Sequence, residues 1–238
     1  MENATYTTLT RQSGLMREMQ AVAHNIANLS TTGFRKEGVI FSEHVAALDA
    51  ASSSLSMASG HARHTSPVQG ALTHTGGRFD FAIEGEGYFL LETAQGERLT
   101  RAGSFTPNEG GELVTAAGDR VLDDGGAPIF VPPDAGSVAL ARDGTLSADD
   151  VPLARLGIVQ PQEPEQMRRE AGVLFRVDGP LDPVQQPDLV QGSLEDSNVQ
   201  PVTEMARMIE VQRAYELGQS FLEREDDRIR TVIETLGR

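Results

Sequence analysis

Residues 192–215 of this chain read GSLEDSNVQPVTEMARMIEVQRAY, and the strongest periodic pattern in the sequence begins within this stretch. Apolar residues recur every seven positions from there to the end, at Met208, Tyr215, Leu222, Ile229 and Leu236. A seven-residue repeat over about four heptads is typical of a coiled-coil seam. We therefore predict a long helix over residues 198–236, with Ser197 or Asn198 as its cap and Pro201 in its opening turn.

The other end of the chain carries a matching pattern over residues 5–29. Its apolar residues are separated by four, three, four and three positions, which places them on one face of a helix: Leu15, Met19, Val22, Ile26 and Leu29. This helix is predicted to stop at residues 30–33, where Gly33 can adopt the left-handed conformation, and Phe34 follows as an anchor. Neither helix can bury its apolar face alone, so the two must meet each other or a neighbouring chain.

The segment after the first helix is predicted to be solvated and then flexible. Residues 35–37, Arg-Lys-Glu, are interpreted as a solvated stretch rather than a binding patch. Residues 49–65 are small, polar and without a period, which favours a flexible connector. His61, His64 and His74 suggest a metal site, but no carboxylate stands at ligand spacing, so we predict solvated histidines.

From residue 78 onward the pattern changes from helical to alternating. Short apolar or β-branched runs occur at residues 79–83, 88–93, 104–106, 112–115, 128–131, 154–160 and 173–177. Gly-rich turns separate them, with hairpins predicted at residues 109–111, 124–126 and 143–144. Spacing of this kind predicts a β-sandwich or a partly open barrel.

The predicted fold class is therefore α+β. Long N- and C-terminal helices form a coiled-coil-like arm, and a central all-β domain lies between them. The predicted divisions are an N-terminal helix with its exit turn at 1–48, a flexible connector at 49–77, the β-domain at 78–191 and the C-terminal coiled-coil helix at 192–238.

The charge of the chain is unevenly distributed. The 238 residues carry a formal net charge of −15, which argues against a nucleic-acid partner because such proteins need clustered Lys and Arg. Residues 1–48 are neutral and residues 193–238 carry −4, which leaves −11 for the residues between them. Near-neutral ends can pack side by side, whereas the acidic centre resists self-association.

No pattern in the sequence points to catalysis. There is no Cys, which excludes disulfides and thiolate chemistry, and no apolar run has the length of a secretory signal or a membrane span. Nucleophile elbows, phosphate loops and zinc-protease motifs are also absent from the sequence. Gly85-Glu86-Gly87 is predicted to be a tight turn rather than a dinucleotide cradle, and Glu84 and Glu86 have no companion base or nucleophile. We predict no enzyme activity, cofactor or metal.

Two motifs at opposite ends resemble signatures of the bacterial flagellar rod and hook protein family. Residues 24–35 read HNIANLSTTGFR, which is similar to the family pattern N-[IL]-A-N-x-x-T-x-G-[FY]-[KR], although His24 stands where the family more often has Asn. LEDSNV at 194–199 and QRAYE at 212–216 resemble the C-terminal signature. FAIEGEGYF at 81–89 and TRAGSF at 100–105 resemble the β-domain, so the resemblance covers nearly the whole chain.

The resemblance implies a structural subunit of the flagellar basal-body rod. The chain is most similar to the proximal-rod subunit with one β-domain, and a distal rod subunit is the nearest alternative. Export through the flagellar type III apparatus, assembly with other rod subunits and with itself, and transmission of motor torque across the periplasm are implied as well. No nucleic-acid binding and no membrane insertion are expected.

The implied contact residues lie on the two helices and in the turn after the first. They are Leu15, Met19, Val22, Asn25, Ile26, Asn28, Leu29, Thr32, Gly33, Phe34, Asn198, Met205, Met208, Ile209, Gln212, Tyr215, Leu222 and Ile229. Asn25 and Asn28 are expected to hydrogen-bond near the end of the first helix, while Thr32, Gly33 and Phe34 set the direction in which the chain leaves it. Two other classes stay open, a secreted β-domain enzyme acting on cell-wall polymer and a free helical adaptor.

Overall fold

The computed structural model describes residues 2–46 and 55–236 and divides the chain into two compact units. The helical unit consists of Met1–Leu29, Lys36–Ser66 and Val199–Arg238. The β unit consists of Ser30–Arg35 and Pro67–Asn198. Each unit is therefore assembled from segments that are far apart in the sequence.

The helical unit contains two helices and a β-hairpin. Helix α1 spans Glu2–Ala27, helix α2 spans Pro201–Leu236, and strands β1 (Glu37–Ala46) and β2 (Leu55–Thr65) pair antiparallel from Glu37 opposite Thr65 to Ala46 opposite Leu55. The hairpin corrects the prediction of a flexible connector, at least for residues 55–65. Pairing with β1 satisfies the backbone groups of β2 whatever its side chains are, so a composition typical of linkers did not reveal the strand. The rest of the proposed linker up to residue 54 lies outside the described residues.

The start of α2 also differs from the prediction. The helix begins at Pro201, which needs no N–H at the first helical position, rather than at residue 198. The Glu204 N–H donates to the Gln200 carbonyl oxygen over 3.1 Å, which marks the first turn. Asn198, one of the two predicted caps, instead donates from Nδ2 to the Val68 carbonyl oxygen over 2.6 Å within the β unit.

The β unit is built from short strands. Their bounds are β3 (Leu72–His74), β4 (Phe81–Glu84), β5 (Tyr88–Thr93), β6 (Gly96–Thr100), β7 (Phe105–Pro107), β8 (Leu113–Thr115), β9 (Arg120–Val121), β10 (Val138–Leu140), β11 (Thr145–Ala148), β12 (Val151–Arg155), β13 (Ile158–Pro161), β14 (Met167–Ala171), β15 (Leu174–Val177), β16 (Leu181–Pro183), β17 (Asp188–Gln191) and β18 (Ser193–Glu195). A 3-10 turn at Pro164–Gln166 precedes β14.

These strands form antiparallel sheets. The largest has nine strands in the order β14-β15-β6-β5-β9-β8-β7, with β13 beside β5 and β16 beside β13. Smaller sheets are β10-β11-β12, β17-β4 and β18-β3. Among the described residues the sheets are open and none closes into a barrel. The two terminal helices and the β-rich centre are therefore confirmed, whereas the coiled-coil-like arm stays a prediction.

Several glycine turns agree with the sequence pattern. Gly111, Gly126 and Gly144 adopt positive φ at the three predicted hairpin turns, where an L side chain would be strained. Residues 128–131, predicted as a strand, make only isolated bridges, between Leu122 and Pro128 and between Glu112 and Phe130. Pro128 has no N–H to donate to a ladder, which accounts for the interrupted pairing.

The main core of the β unit is aromatic and aliphatic. Phe105 packs edge-on against Phe89 with ring centroids 5.3 Å apart, and Phe81 is tilted at 6.1 Å. Leu91, Leu113, Ile129, Leu146 and Leu156 are fully or almost fully buried around them. This main core draws on strands throughout residues 81–189. A second, smaller cluster in the same unit is formed by Leu90, Leu99, Leu122 and Phe175.

Candidate interaction surface

The two helices of the helical unit pack against each other in antiparallel directions. Three hydrogen bonds join the helices along their length: Gln12 Nε2 donates to the Tyr215 carbonyl oxygen, Arg207 Nε donates to Glu18 Oε1, and Asn25 Nδ2 donates to Glu204 Oε2. The partner number on α2 falls as the number on α1 rises, which defines the antiparallel direction. The predicted meeting of the two chain ends is therefore seen within one chain.

One end of this pair is closed by a buried polar cluster. Asn25 is fully buried and donates from Nδ2 to the Glu37 carbonyl oxygen (2.8 Å) and to Glu204 Oε2 (3.0 Å), while its Oδ1 accepts from the Glu37 N–H (2.9 Å). Lys36 forms an ion pair with Glu204, and His24 Nδ1 lies 3.3 Å from Glu37 Oε2. The cluster joins α1, β1 and α2, and it gives Asn25 the hydrogen bonds expected near the end of α1. Asn28 also bonds there, to the His24 carbonyl oxygen.

The prediction that residues 35–37 are solvated is wrong for two of the three. Arg35 is 3% exposed and Glu37 is 2% exposed, and only Lys36 is partly exposed. In the sequence alone, three successive charged residues resemble a surface segment. Their burial becomes possible because each has a polar partner elsewhere in the sequence: Arg35 forms an ion pair with Glu195, and Glu37 lies beside the His24 ring and Asn25.

The predicted contact residues of the helices divide into two sets. Leu15, Val22 and Asn25 are buried, and Met19, Ile26, Asn28, Leu29, Met208, Tyr215 and Leu222 are partly buried. The second set is exposed: Met205, Ile209, Gln212 and Ile229. The most buried positions of α2 are Glu204 and Val211, of which the contact prediction included neither.

Val202 forms an apolar patch near the start of α2 with two residues of the exposed set, Met205 and Ile209, and we call these three residues the outward patch. These side chains are 77%, 51% and 49% exposed. At 100° per residue they lie within one quadrant or so of the helix, well away from the side occupied by Glu204 and Val211. The sequence analysis predicted a single apolar seam on α2. In the structure its residues lie on two faces of the helix, of which one is covered by α1 and the other is open.

A second open apolar face lies at the far end of α2. Continuing the register set by Asn25 and Glu204 places Glu2, the first described residue of α1, opposite about residue 227. Ile229, Val232 and Ile233 follow and are 41%, 47% and 64% exposed. They continue the α1-facing side of α2 beyond the described part of α1. The side chain of Leu236, the last residue of the predicted repeat, lies outside the described residues.

A groove of about 370 Å³ runs between the helices. Its lining residues are Thr8, Arg11, Gln12, Leu15, Ala214, Leu217, Gly218 and Phe221. Leu217 and Phe221 remain 73% and 46% exposed. A Cβ on Gly218 would lie 3.2 Å from Gln12 Nε2, so the glycine lets the helices approach closely here.

The turn after α1 is anchored within the β unit. Gly33 has φ +68° and donates its N–H to the Glu195 carbonyl oxygen over 2.7 Å, and a Cβ there would lie 2.2 Å from the Ala102 nitrogen. Phe34 is fully buried beneath the Arg169 guanidinium, 4.3 Å from its ring centroid. The left-handed glycine and the aromatic anchor are both confirmed.

A buried ion network lies beside this turn and was not predicted. Glu195 accepts from Arg35 Nη2 (3.0 Å), Arg101 Nε (2.8 Å) and the Gly70 N–H (3.1 Å). Arg101 also donates from Nη1 to the Gly87 carbonyl oxygen and from Nη2 to that of Gly85, over 2.6 and 2.8 Å. Burial lowers the pKa of Arg101, and Glu195 opposes that shift. The tight turn predicted at residues 85–87 is thus held by an arginine.

Two further observations concern chemistry and membranes. Among the described residues, no group of three or more His, Asp or Glu side chains is arranged to hold a metal ion. The side chains of His64 and His74 are exposed, and that of His61 lies outside the described ones. Neither described helix is long and apolar enough to cross a membrane.

Comparison with known proteins defines the class of the chain. Residues 190–235 match the family model "Flagellar basal body rod FlgEFG protein C-terminal", and residues 82–148 match "Flagellar hook protein FlgE/F/G D1 domain". The chain is 40% identical to the flagellar basal-body rod protein FlgF of Caulobacter vibrioides, in an alignment covering all of this chain and 99% of the relative. It therefore belongs to the family of flagellar basal-body rod proteins, and its location is the flagellar basal body.

Within the family, the chain resembles FlgF proteins. FlgF of Mesorhizobium japonicum is 36% identical, again over all of this chain and 99% of the relative. FlgG of Bacillus subtilis is 28% identical over 98% of both chains. The chain is thus a structural subunit of the rod. It is more similar to these FlgF proteins, which belong to the proximal rod, than to FlgG, so the proximal rod is favoured over the distal rod.

Proposed function

We propose that this rod subunit assembles with other rod subunits and with copies of itself through the open faces of its helical unit, and that the assembled helices transmit motor torque. The observation that carries the proposal is the outward patch. It exposes three large apolar side chains on one face of a helix whose opposite face is already covered by α1. Contiguous exposed apolar surface of this kind marks a site of protein association.

The far end of α2 supports the same proposal. Ile229, Val232 and Ile233 continue the side of α2 that α1 covers elsewhere, yet the described part of α1 does not cover them. A neighbouring subunit that supplied a helix at this position would complete the seven-residue seam and form the coiled-coil packing predicted from the sequence. Such contacts bury apolar surface on both chains, and each Å² removed from water contributes about 25 cal/mol of favourable free energy.

Six residues of the predicted contact set lie outside the apolar faces of the helices and stabilise the local conformation of the chain. Asn25 and Asn28 close one end of the helix pair, and Asn198, Thr32, Gly33 and Phe34 belong to the β unit. We propose that they keep the ends of the helices in a defined conformation for assembly. Gln212, exposed beside the outward patch, would contact a neighbour directly.

A charge introduced into the outward patch tests the proposal. Ile209→Glu should prevent incorporation into basal bodies because assembly would bury an unpaired carboxylate. Thr203→Glu is the matched control, since it adds the same charge to an exposed position on another side of α2. The measurements are the amount of subunit in purified basal bodies, swimming of a strain whose own copy is deleted, and circular dichroism of the purified variants.

We expect incorporation and swimming to be lost with Ile209→Glu alone, while both variants keep the helix content of the parent. Equal incorporation of the two variants would contradict an interface at the outward patch. Loss of helix content in Ile209→Glu would assign the defect to folding, and Met205→Gln, which removes apolar contact without adding charge, would then have to reduce incorporation for the proposal to stand.

The position within the rod has a separate test. We propose the proximal rod on the strength of the FlgF relatives, whereas the similarity to FlgG of Bacillus subtilis favours a distal position. A tag on the exposed β11–β12 turn, located by electron microscopy in intact basal bodies, would distinguish the two. Density at the outer end of the rod would favour the distal assignment.

We also propose that the subunit reaches the rod through the flagellar export apparatus, acts without catalysis and does not insert into membranes. The family is one of structural proteins, which supports an absence of enzymatic activity. Purified protein incubated with peptidoglycan should release no soluble fragments. Release that is abolished by Glu84→Gln or Glu86→Gln would revive the cell-wall enzyme, and a stable complex with an unrelated helical protein would revive the adaptor.

A further inference from the structure

The surface of α2 that faces away from α1 is divided by charge into two sides. Measured around the helix axis from the buried Val211 at about 100° per residue, Arg213 and Arg224 lie at about 200–220°. Glu216 and Asp227 lie at about 140–160°. All four residues are exposed. We call Arg213 and Arg224 the basic stripe, and Glu216 and Asp227 the acidic stripe.

The charges of the two stripes are not neutralised within the part of the chain that the structure describes. None of the four side chains forms an ion pair there. The ion pairs that α2 does form are Arg207 with Glu18 and Glu210, Arg228 with Glu225, Arg230 with Asp226, and Glu204 with Lys36. Unpaired charges that are sorted by sign onto two sides of one helix fit a partner surface with the reverse arrangement.

The two stripes have the same spacing along the helix. Arg213 and Arg224 are eleven residues apart, and so are Glu216 and Asp227. At 1.5 Å per residue this distance is about 16.5 Å. Each carboxylate also follows an arginine by three residues. Two parallel copies of α2 that are shifted by three residues, about 4.5 Å, therefore bring both arginines of one copy opposite both carboxylates of the other.

The apolar residues of the same surface fit the same shift. A shift of three residues places Val202 of one copy beside Met205 of the second copy, and the exposed Ala206 beside Ile209 of the second copy. The outward patch of one copy is then covered by apolar side chains of the next. The shift that aligns the charges is therefore also the shift that buries the patch.

A second possible shift is less favourable. Glu223 and Glu234 are also exposed and eleven residues apart, and a shift of ten residues would bring them opposite the basic stripe. The same shift would place Val202 beside Gln212 and Ala206 beside Glu216. Apolar side chains would then face polar ones, so burial of apolar surface selects the shift of three residues.

We propose that α2 of a second copy of this chain, parallel and shifted by three residues, covers this surface, with the basic stripe of one copy against the acidic stripe of the next. The inference rests on the rod-assembly proposal and adds the surface that the neighbour presents. Because two different stripes meet, each copy keeps one free stripe for a further copy, and the assembly stays open. The apolar pairs supply affinity, and the charge pairs decide which sides meet.

Charge reversal tests the stripes in the purified full-length protein. The double variant Glu216→Arg/Asp227→Arg turns two attractive pairs into repulsive ones and should weaken self-association about tenfold at physiological ionic strength. Sedimentation velocity at several protein concentrations measures this change. The matched control, Asp124→Arg/Asp134→Arg, changes the net charge equally at exposed carboxylates of the β unit and should not weaken self-association.

Reversal of both stripes should restore the contact. A chain that carries Arg213→Glu and Arg224→Glu in addition to Glu216→Arg and Asp227→Arg should self-associate within about threefold of the parent. The inference is overturned if the double variant associates as tightly as the control, or if the chain with four substitutions associates no better than the double variant. Basal-body incorporation that is lost with Ile209→Glu but kept with the double variant would leave the rod-assembly proposal standing without the stripes.

Cross-linking in assembled basal bodies tests the shift and needs no self-association in solution. The chain has no cysteine, so Val202→Cys in one copy and Met205→Cys in another supply the only thiols of the subunit. Both copies are expressed together in a strain whose own copy is deleted. A short bis-maleimide should join the two variants to each other more efficiently than it joins either variant to itself. Absent or equal cross-linking of the mixed pair would overturn the parallel, three-residue shift.

Discussion

At the residue scale, Glu195 is the centre of the buried ion network in the β unit. Its buried carboxylate lies between Arg35 and Arg101 and also accepts the Gly70 N–H, so it connects three separate segments. Removing one member of a buried ion pair leaves an uncompensated charge in a low-dielectric environment. The network is therefore more sensitive to partial than to complete loss.

We predict that Glu195→Gln destabilises the β unit by about 3–5 kcal/mol, because both guanidiniums lose their counter-charge while remaining buried. The measurement is urea-induced unfolding of the full chain followed by tyrosine fluorescence. Asp188→Asn is the control, since it breaks an exposed pair with Arg142 and should cost less than about 1 kcal/mol. Similar midpoints for the two variants would show that Glu195 is not the centre of a buried network.

Asp149 offers a pH-dependent prediction at the same scale. Its carboxylate accepts hydrogen bonds from the N–H groups of Gly136 and Ser137, and these bonds lower its pKa below the ordinary value of 3.8. A lowered folded pKa means that the contribution to stability is present above pH 3.8 and is lost as pH falls through the folded pKa. Asp149 has φ +49°, which Asn also tolerates.

We therefore expect Asp149→Asn to lower the melting temperature at neutral pH, with a difference from the parent that shrinks as the pH is reduced below about 3.8. Thermal unfolding of both proteins between pH 7 and pH 3 measures this difference. A difference that stays constant across the range would mean that the charge of Asp149 is not what stabilises the loop at residues 136–137.

At the element scale, α2 has two apolar faces with different roles. Val211 is 2% exposed on the side that α1 covers, and Val202 is 77% exposed in the outward patch. The same substitution at the two positions changes helix propensity equally, so it isolates the effect of burial. The comparison therefore separates folding of the helix pair from assembly.

Val211→Ala should destabilise the helical unit by about 2 kcal/mol through lost burial and a residual cavity. Val202→Ala should change stability by less than about 0.5 kcal/mol and should instead weaken incorporation into basal bodies. Thermal loss of helical circular dichroism and basal-body content are the two readouts. The assignment of the faces is wrong if Val202→Ala is the more destabilising of the two.

Whether a helix, strand or turn could be predicted depends on whether its sequence pattern lies in consecutive residues. Both helices were predictable because apolar spacing is a property of consecutive residues, as were the turns at Gly111, Gly126 and Gly144. Strand β2 was not predictable in the same way, because its register is set by β1 and its small polar residues carry no alternation. Pro201 marks the observed start of α2, whereas the Ser197-Asn198 pair placed the predicted start three residues too early, at residue 198.

At the scale of the whole molecule, the charge is concentrated in one unit. The β unit carries −12 and the helical unit −3 of the total of −15. Molecules with a large net charge of one sign repel each other, and salt screens this repulsion over a Debye length of about 8 Å at physiological ionic strength. Apolar contacts between helical units are not weakened by such screening.

We therefore predict that self-association of the purified protein increases when NaCl is raised from low to physiological concentration. Sedimentation velocity at several protein concentrations measures the change. Ile209→Glu should remain monomeric at both salt concentrations because its outward patch is disrupted. Association that weakens with added salt would indicate that charge pairs, rather than apolar faces, hold the copies together.

The sequence by itself determined the helices at both ends, the β-rich centre, the absence of cysteine chemistry and the resemblance to flagellar rod proteins. All of these depend on composition or on spacing between near neighbours. Only the tertiary structure decided that Arg35, Glu37, Arg101, Glu195 and Glu204 are buried. Arg101 meets Glu195 across 94 positions, and Asn25 meets Glu204 across 179. A charged residue is stable inside a protein only when its partner is present, and the fold brings such distant partners together.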